Sequence, residues 1–171
     1  MKRHITLVTG GQRSGKSSYA QNLALSQTPN PVYLATSRIW DEEFRKRVER
    51  HQRDRGPEWT NIEEEKFLSK HNLEGRVIVI DCVTLWGTNF FFDNNSDVEL
   101  SLTQLKEEFR KFTDQQAYFI FVTNEIGLGG VATDEVQRKF TDLQGWLNQY
   151  IAQQADQVVL MVSGIPVKVK G

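Results

Sequence analysis

The sequence predicts an α/β protein built on a mostly parallel sheet with helices on both faces. Three observations carry that expectation. Short β-branched apolar runs recur along the chain, amphipathic helical stripes separate them, and a glycine-rich turn joins the first run to a helix. The runs are Ile5 to Thr9, Val32 to Thr36, Val77 to Asp81, Tyr118 to Thr123 and Val158 to Val162. Each is apolar nearly throughout, as a strand covered on both faces should be.

The intervening segments change period. Val98, Leu102, Leu105, Phe109 and Phe112 step by four and three residues, and Ser96-Asp97-Val98-Glu99 reads as a capping box ahead of them. Val136, Phe140, Leu143, Leu147 and Ile151 form a second stripe after Thr133-Asp134. Asp41 to Arg55 places Phe44, Val48 and His51 on one face of an otherwise charged helix. Strands alternating with helices make βαβ units, hence a mostly parallel sheet. Ser163-Gly164 then turns the chain into Ile165 to Lys170, whose Pro and Lys suit an edge strand or hairpin.

Length and composition bound the rest. With 171 residues, against ~150 per domain, the chain is read as one domain spanning 1–171. Lys+Arg 21 against Asp+Glu 22 gives a net charge of -1, which argues against a nucleic-acid partner. The single cysteine, Cys82, excludes an intrachain disulfide. Lys2 and Arg3 precede only Ile5 to Val8 before the glycines, too short a run for a signal peptide. No run is long enough to span a bilayer, and the expected location is the cytoplasm.

The chemistry begins at Gly10-Gly11-Gln12-Arg13-Ser14-Gly15-Lys16-Ser17, which fits the P-loop pattern G-x-x-x-x-G-K-[ST]. A strand ends just before it and Ser17 to Leu25 reads as a helix, so the context is the confirming one. An ordinary glycine-rich turn has no need of all these positions together. The backbone N–H groups would surround polyphosphate oxygens, Lys16 would reach the β- and γ-phosphates, and Ser17 would bind Mg²⁺. Asp81 closes an apolar strand as a Walker B carboxylate does, which beside a P-loop points to a role in Mg²⁺ coordination, usually through water. The strand expected to carry guanine-reading Asn-Lys-x-Asp ends instead in Thr123-Asn124-Glu125-Ile126, which turns the reading away from a regulatory GTPase. A small-molecule kinase fits the chain length.

Of three histidines, His4 and His71 read as surface residues. His51 sits among Arg47, Arg50, Arg53 and Arg55, which suits an imidazole nucleophile with phosphates held around it. A solvated helix with a Glu49–Arg53 ion pair accounts for the same residues. Spacing leaves both open.

Taken together, these blocks resemble the bifunctional adenosylcobinamide kinase / adenosylcobinamide-phosphate guanylyltransferase family. The residues that carry the resemblance are Thr9 to Ser17, Tyr33-Leu34-Ala35-Thr36-Ser37, and the His51 helix through Arg55 to Pro57-Glu58-Trp59. Asp81-Cys82-Val83-Thr84-Leu85-Trp86, Thr88-Asn89, Asn124-Glu125-Ile126-Gly127-Leu128-Gly129, Asn148, Ala155 to Val158 and Ser163-Gly164-Ile165-Pro166 complete the set. The family pattern often has Gly-Ile-Val-Pro where this chain has Gly129-Gly130-Val131-Ala132.

The resemblance implies a RecA-like sheet, a trimer, and two reactions on GTP or ATP. One phosphorylates the aminopropanol hydroxyl of adenosylcobinamide. The other guanylylates His51 with GTP and passes GMP to adenosylcobinamide phosphate, giving adenosylcobinamide-GDP. It implies Gly10 to Ser17, Ala35, Thr36, Ser37, Gln52, Arg53, Asp54, Arg55, Glu63 and Asp81 as nucleotide contacts. Two alternatives remain at this stage. One is a P-loop kinase of another small alcohol with a structural His51. The other is a nucleotide-binding switch with a protein partner docked on Phe90-Phe91-Phe92, residues that also suit a core or a subunit interface.

Overall fold

A computed structural model describes residues 1–171. In chain order its elements are β1 (His4–Gly10), α1 (Lys16–Gln27), β2 (Val32–Ala35), α2 (Glu42–Asp54), β3 (Thr60–Glu63), β4 (Val77–Asp81) and α3 (Val83–Asp93). After these come α4 (Val98–Phe112), β5 (Tyr118–Val122), α5 (Glu135–Gln154), β6 (Gln157–Val162) and β7 (Ile165–Lys170). The strands form one sheet in the order β3-β2-β4-β5-β1-β6-β7. Every pair is parallel except β6 with β7, the C-terminal hairpin expected from the turn at Ser163-Gly164.

The near-continuous apolarity of the strands has the anticipated cause. Ile5, Leu7, Ile78, Ile80, Phe119 and Phe121 face a core closed by α3, α4 and α5. Their neighbours Val8, Val77, Val79, Ile120 and Val122 face a second core that holds Ala20 and Ala24 of α1 with Trp59. The larger core is aromatic. Phe109 lies 5.1 Å from Phe121 between ring centroids and meets Tyr150 edge-on, and Phe112 packs against Phe119.

Several local expectations change. Ser96 adopts a left-handed backbone (φ 64), so Asp97 caps α4 instead, its carboxylate accepting from Leu100 N at 2.9 Å. The predicted Glu49–Arg53 ion pair is absent: Arg53 Nε turns to the Glu49 carbonyl, and the side-chain pairs on α2 are Arg45–Glu42 and Arg47–Glu43. His71 is half-buried against Glu64 rather than on the surface, with Nε2 3.6 Å from the carboxylate. Phe90 and Phe91 lie on the buried side of α3, and only Phe92 is exposed, at 54%. A three-residue docking patch does not exist.

Two elements have no counterpart among the expected strands and helices. β3 is short, polar and mostly exposed. Its place in the sheet comes from pairing with β2, not from its own side chains. α3 is capped by Cys82, whose sulfur accepts from Leu85 N at 3.4 Å.

Truncating the aromatic core tests its weight. Phe109→Ala is expected to cost about 3–5 kcal/mol, read as a lower midpoint in urea unfolding with the slope unchanged.

Candidate active site

The sheet order decides where chemistry is possible. β5 is inserted between β1 and β4, so the loop after β1, the loop after β5 and Asp81 at the end of β4 share one edge. Open α/β sheets bind ligands at this carboxyl edge.

At the end of β1 the chain makes the phosphate cradle expected from its sequence. Gly15 stands at the N-cap of α1 with φ 95, a left-handed conformation glycine adopts without steric cost, and no side chain caps the helix. Nor is there an acidic residue in the first turn. The uncapped N–H groups and the positive end of the helix dipole are thereby left for an anion. Gly10 is packed so tightly that a Cβ there would lie 2.7 Å from Ser14 Oγ and 2.8 Å from the Met161 carbonyl. Ser14 Oγ is buried with no hydrogen-bond partner within the chain. Lys16 is buried too, its ammonium donating to the Gly11 carbonyl, while Gly11, Gln12 and Arg13 form the exposed tip.

Ser17 Oγ donates to Asp81 Oδ2 at 2.7 Å. Tyr33 OH donates to the same oxygen, also at 2.7 Å. Burial raises the Tyr33 pKa, and the Asp81 charge raises it further, so the phenol stays a donor. Arg55 lies over the Tyr33 ring, 3.5 Å from its centroid, and donates twice to Asn61 Oδ1. Burial pulls both Lys16 and Arg55 below their ordinary pKa values, with Asp81 acting in the opposite direction on each. Burial also pushes the Cys82 thiol up to about 12, so this lone cysteine is inert.

A cleft of about 380 Å³ opens over this edge. Ser17 of α1 lines it with Ala35, Ser37 and Asp81 at the strand ends, and Phe44, Arg47, Val48, His51 and the C-cap Arg55 line it from α2. His51 therefore faces the same space as the P-loop serine and the Walker B aspartate. The expectation that Phe44, Val48 and His51 share a face is met.

Other expected contacts lie elsewhere. Thr36 is fully buried, its hydroxyl donating to the Cys82 carbonyl at 2.7 Å and accepting from Cys82 N at 2.9 Å, a staple between β2 and β4. Gln52 and Glu63 bond each other at 3.0 Å and tie α2 to β3. Arg53 and Asp54 are exposed on α2, away from the cleft. Gln21, Tyr33 and Leu85 line the cleft although none was expected as a nucleotide contact. Tyr33 read as strand core, and only its partner Asp81 shows that its hydroxyl is used.

The residues present fit a hard divalent cation. A serine hydroxyl and a carboxylate oxygen converge, and Mg²⁺ typically takes one or two such protein ligands and fills its octahedron with water and phosphate.

A family model described as cobinamide kinase / cobinamide phosphate guanyltransferase matches residues 6–169. The chain belongs to that family. It is 34% identical over 181 residues to the bifunctional adenosylcobalamin biosynthesis protein CobU of Escherichia coli, covering 97% of this chain and 99% of that one. It is 35% identical over 170 residues to the bifunctional adenosylcobalamin biosynthesis protein CobP of Pseudomonas aeruginosa, covering 96% of each. Among solved structures, the flagellar accessory protein FlaH of Methanocaldococcus jannaschii superposes with a TM-score of 0.52 over 99% of this chain and 79% of its own, at 14% identity. That likeness speaks for the fold alone. Family membership makes this chain an enzyme of cobalamin biosynthesis, with kinase and nucleotidyltransferase chemistry. The mostly parallel α/β architecture agrees with the sequence reading.

The tight packing at Gly10 gives a direct test. Gly10→Ala adds overpacking of about 1–3 kcal/mol to the phosphate loop. It should weaken ATP binding in calorimetry by roughly tenfold or more, with the circular dichroism spectrum unchanged.

Proposed function

We propose that one triphosphate site serves two reactions in this enzyme, and that His51 is the covalent carrier in the second. The observation that carries the proposal is His51 facing the cleft that also holds Ser17 and Asp81. In the first reaction the aminopropanol hydroxyl of adenosylcobinamide attacks the γ-phosphorus of ATP or GTP, and the nucleoside diphosphate leaves. The P-loop amides and Lys16 hold the phosphates in line, and such transfer needs position and charge more than covalent help.

In the second reaction a ring nitrogen of His51 attacks the α-phosphorus of GTP. The N–P bond forms as the bond to pyrophosphate breaks. An oxygen of adenosylcobinamide phosphate then attacks the same phosphorus, the N–P bond breaks, and adenosylcobinamide-GDP leaves with His51 restored. Splitting the transfer lets a bulky acceptor react after pyrophosphate has gone. Arg47 and Arg55, which line the cleft, are placed to offset charge on the phosphorus.

Ala35 and Ser37 offer the cleft wall at the end of β2, and Arg55, but not Arg53, is the cleft-lining arginine at the end of α2. Gln52 and Glu63 serve the nucleotide indirectly through the bond that seats α2. Ser17 and Asp81 would hold Mg²⁺, which would supply charge neutralisation at the bridging phosphate oxygens. We extend the family resemblance to a homotrimer. The support on this chain is β7, whose Ile165, Val167 and Val169 are exposed apolar residues on the last strand of the sheet. Light scattering should return three times the chain mass of 19.7 kDa, and a monomer mass ends that assignment.

Incubation with GTP labelled at the α-phosphate, without acceptor, tests the carrier. Acid-labile label should appear on the wild type and be absent from His51→Ala. Lys16→Ala should lose phosphorylation of adenosylcobinamide by about 10²-fold or more. A wild type that phosphorylates adenosylcobinamide but takes no label makes the enzyme a kinase only. Tight nucleotide binding without either transfer makes it a switch.

A further inference from the structure

The kinase step needs a group to take the proton from the attacking hydroxyl. Asp81 is assigned to Mg²⁺ and its Oδ2 already accepts from the Ser17 and Tyr33 hydroxyls, and His51 is committed as nucleophile to the other reaction. We propose that Glu125 is the catalytic base of the kinase step. It accepts the hydroxyl proton of the cobinamide substrate as that oxygen attacks the γ-phosphorus. The inference rests on the kinase activity described above.

Topology places Glu125 at the necessary position. It lies just beyond β5, and the last residue of that strand, Val122, pairs with Val8 of β1 on one side and Asp81 of β4 on the other. The chain after β5 thus emerges between the phosphate loop and the Walker B carboxylate. Glu125 N donates to the Gly10 carbonyl at 3.0 Å, the first residue of the P-loop. Thr9 Oγ1 donates to Glu125 Oε1 at 3.0 Å. This is the only side-chain hydrogen bond on the carboxylate, and no Lys, Arg or His forms a salt bridge with it.

The backbone that presents Glu125 is held with unusual care. Asn124 donates from both its main chain and its amide to Thr84 Oγ1, at 3.1 and 3.0 Å. Its carbonyl accepts from Asn148 Nδ2 at 3.1 Å. Asn148 Oδ1 in turn accepts from Thr123 Oγ1 at 2.7 Å and Gln144 Nε2 at 2.8 Å, deep between β5 and α5. A side chain that served only as a strut from β5 to Thr9 would need an acceptor and no charge, which glutamine supplies. A carboxylate beside a triphosphate loop repels its ligand unless its charge is used, and with Mg²⁺ assigned to Ser17 and Asp81 the use left to Glu125 is proton transfer.

The step balances without another reactant. The hydroxyl O–H bond breaks and its proton goes to Glu125. The substrate oxygen bonds to the γ-phosphorus, and the bond to the β-phosphate oxygen breaks with its electrons leaving on the nucleoside diphosphate. The guanylyl transfer has no alcohol to deprotonate, so the two activities should separate at this residue.

Glu125→Gln keeps the bond from Thr9 and removes the base. Assayed on the full chain with ATP, Mg²⁺ and cobinamide, it should lose kcat for phosphorylation by about 10²-fold or more while KM stays near the wild-type value. Labelling of His51 by α-labelled GTP should proceed as in the wild type, which also shows the variant is folded. Glu125→Asp should recover part of the phosphorylation that Gln loses. Retention of kinase activity in Glu125→Gln, a parallel fall of both activities, or equal losses for Asp and Gln each overturns the assignment. A wild type that takes label but phosphorylates no cobinamide defeats the kinase activity itself, and the base with it.

Discussion

Asp81 Oδ2 accepts two short hydrogen bonds, from Ser17 Oγ and Tyr33 OH, and through them the end of β4 holds α1 and β2 in register. A polar group in a partly buried site needs such partners, because taking it out of water unpaired is costly. Two cations sit within the same electrostatic neighbourhood. Lys16 and Arg55 both feel Asp81, yet burial outweighs it and pulls each below its ordinary pKa. Asp81 therefore compensates neither cation fully, and the negative charge of a triphosphate complements both before any contact with the base or sugar is counted.

α2 is held on different terms. None of its residues is buried, and its attachments are the half-buried Phe44 and Val48, the Gln52–Glu63 bond and Arg55 on Tyr33 and Asn61. Asp41 caps it and Glu42 and Glu43 occupy its first turn, with His51 and Arg53 in the last, so both ends of the helix are favoured locally. Few apolar contacts to the core mean a small cost for moving it as a body. Such a helix suits the carrier role proposed for His51, and the anchors at its C-terminal end join Arg55, through Tyr33, to Asp81.

How much of this was legible depended on whether a residue's role is set by its neighbours in sequence. The P-loop and the five apolar strands were, because each is defined by a short contiguous pattern. The stripes of α4 and α5 were too, since their periodicity directly reflects the face they bury. β3 was not: Thr60-Asn61-Ile62-Glu63 has no apolar run, and β2 alone makes it a strand. Within α3, Phe90 and Phe91 are buried and Phe92 is exposed, a difference set by helix rotation that a run of three identical residues conceals. At the site, Lys16, Ser17, Asp81 and His51 could be named from motifs and a family pattern. Thr36 and Tyr33 exchanged expected roles, because the strand pleat turns Thr36 into the core and Tyr33 toward Asp81.

The near-neutral net charge of -1 hides how the two reactions can share one triphosphate. In the proposed scheme the P-loop amides and Lys16 would hold the phosphates in the same way whichever phosphorus reacts. Selection between α and γ must then come from where the nucleophile stands. His51 enters the cleft that Ser17 and Gln21 of α1 also line. The 123–125 segment is braced from the other face, through Thr84 of α3 and Asn148 of α5. Under the proposed scheme the imidazole would come from α2 and the alcohol from beside Glu125, so that each would meet its own phosphorus atom of one bound nucleotide without a second binding site.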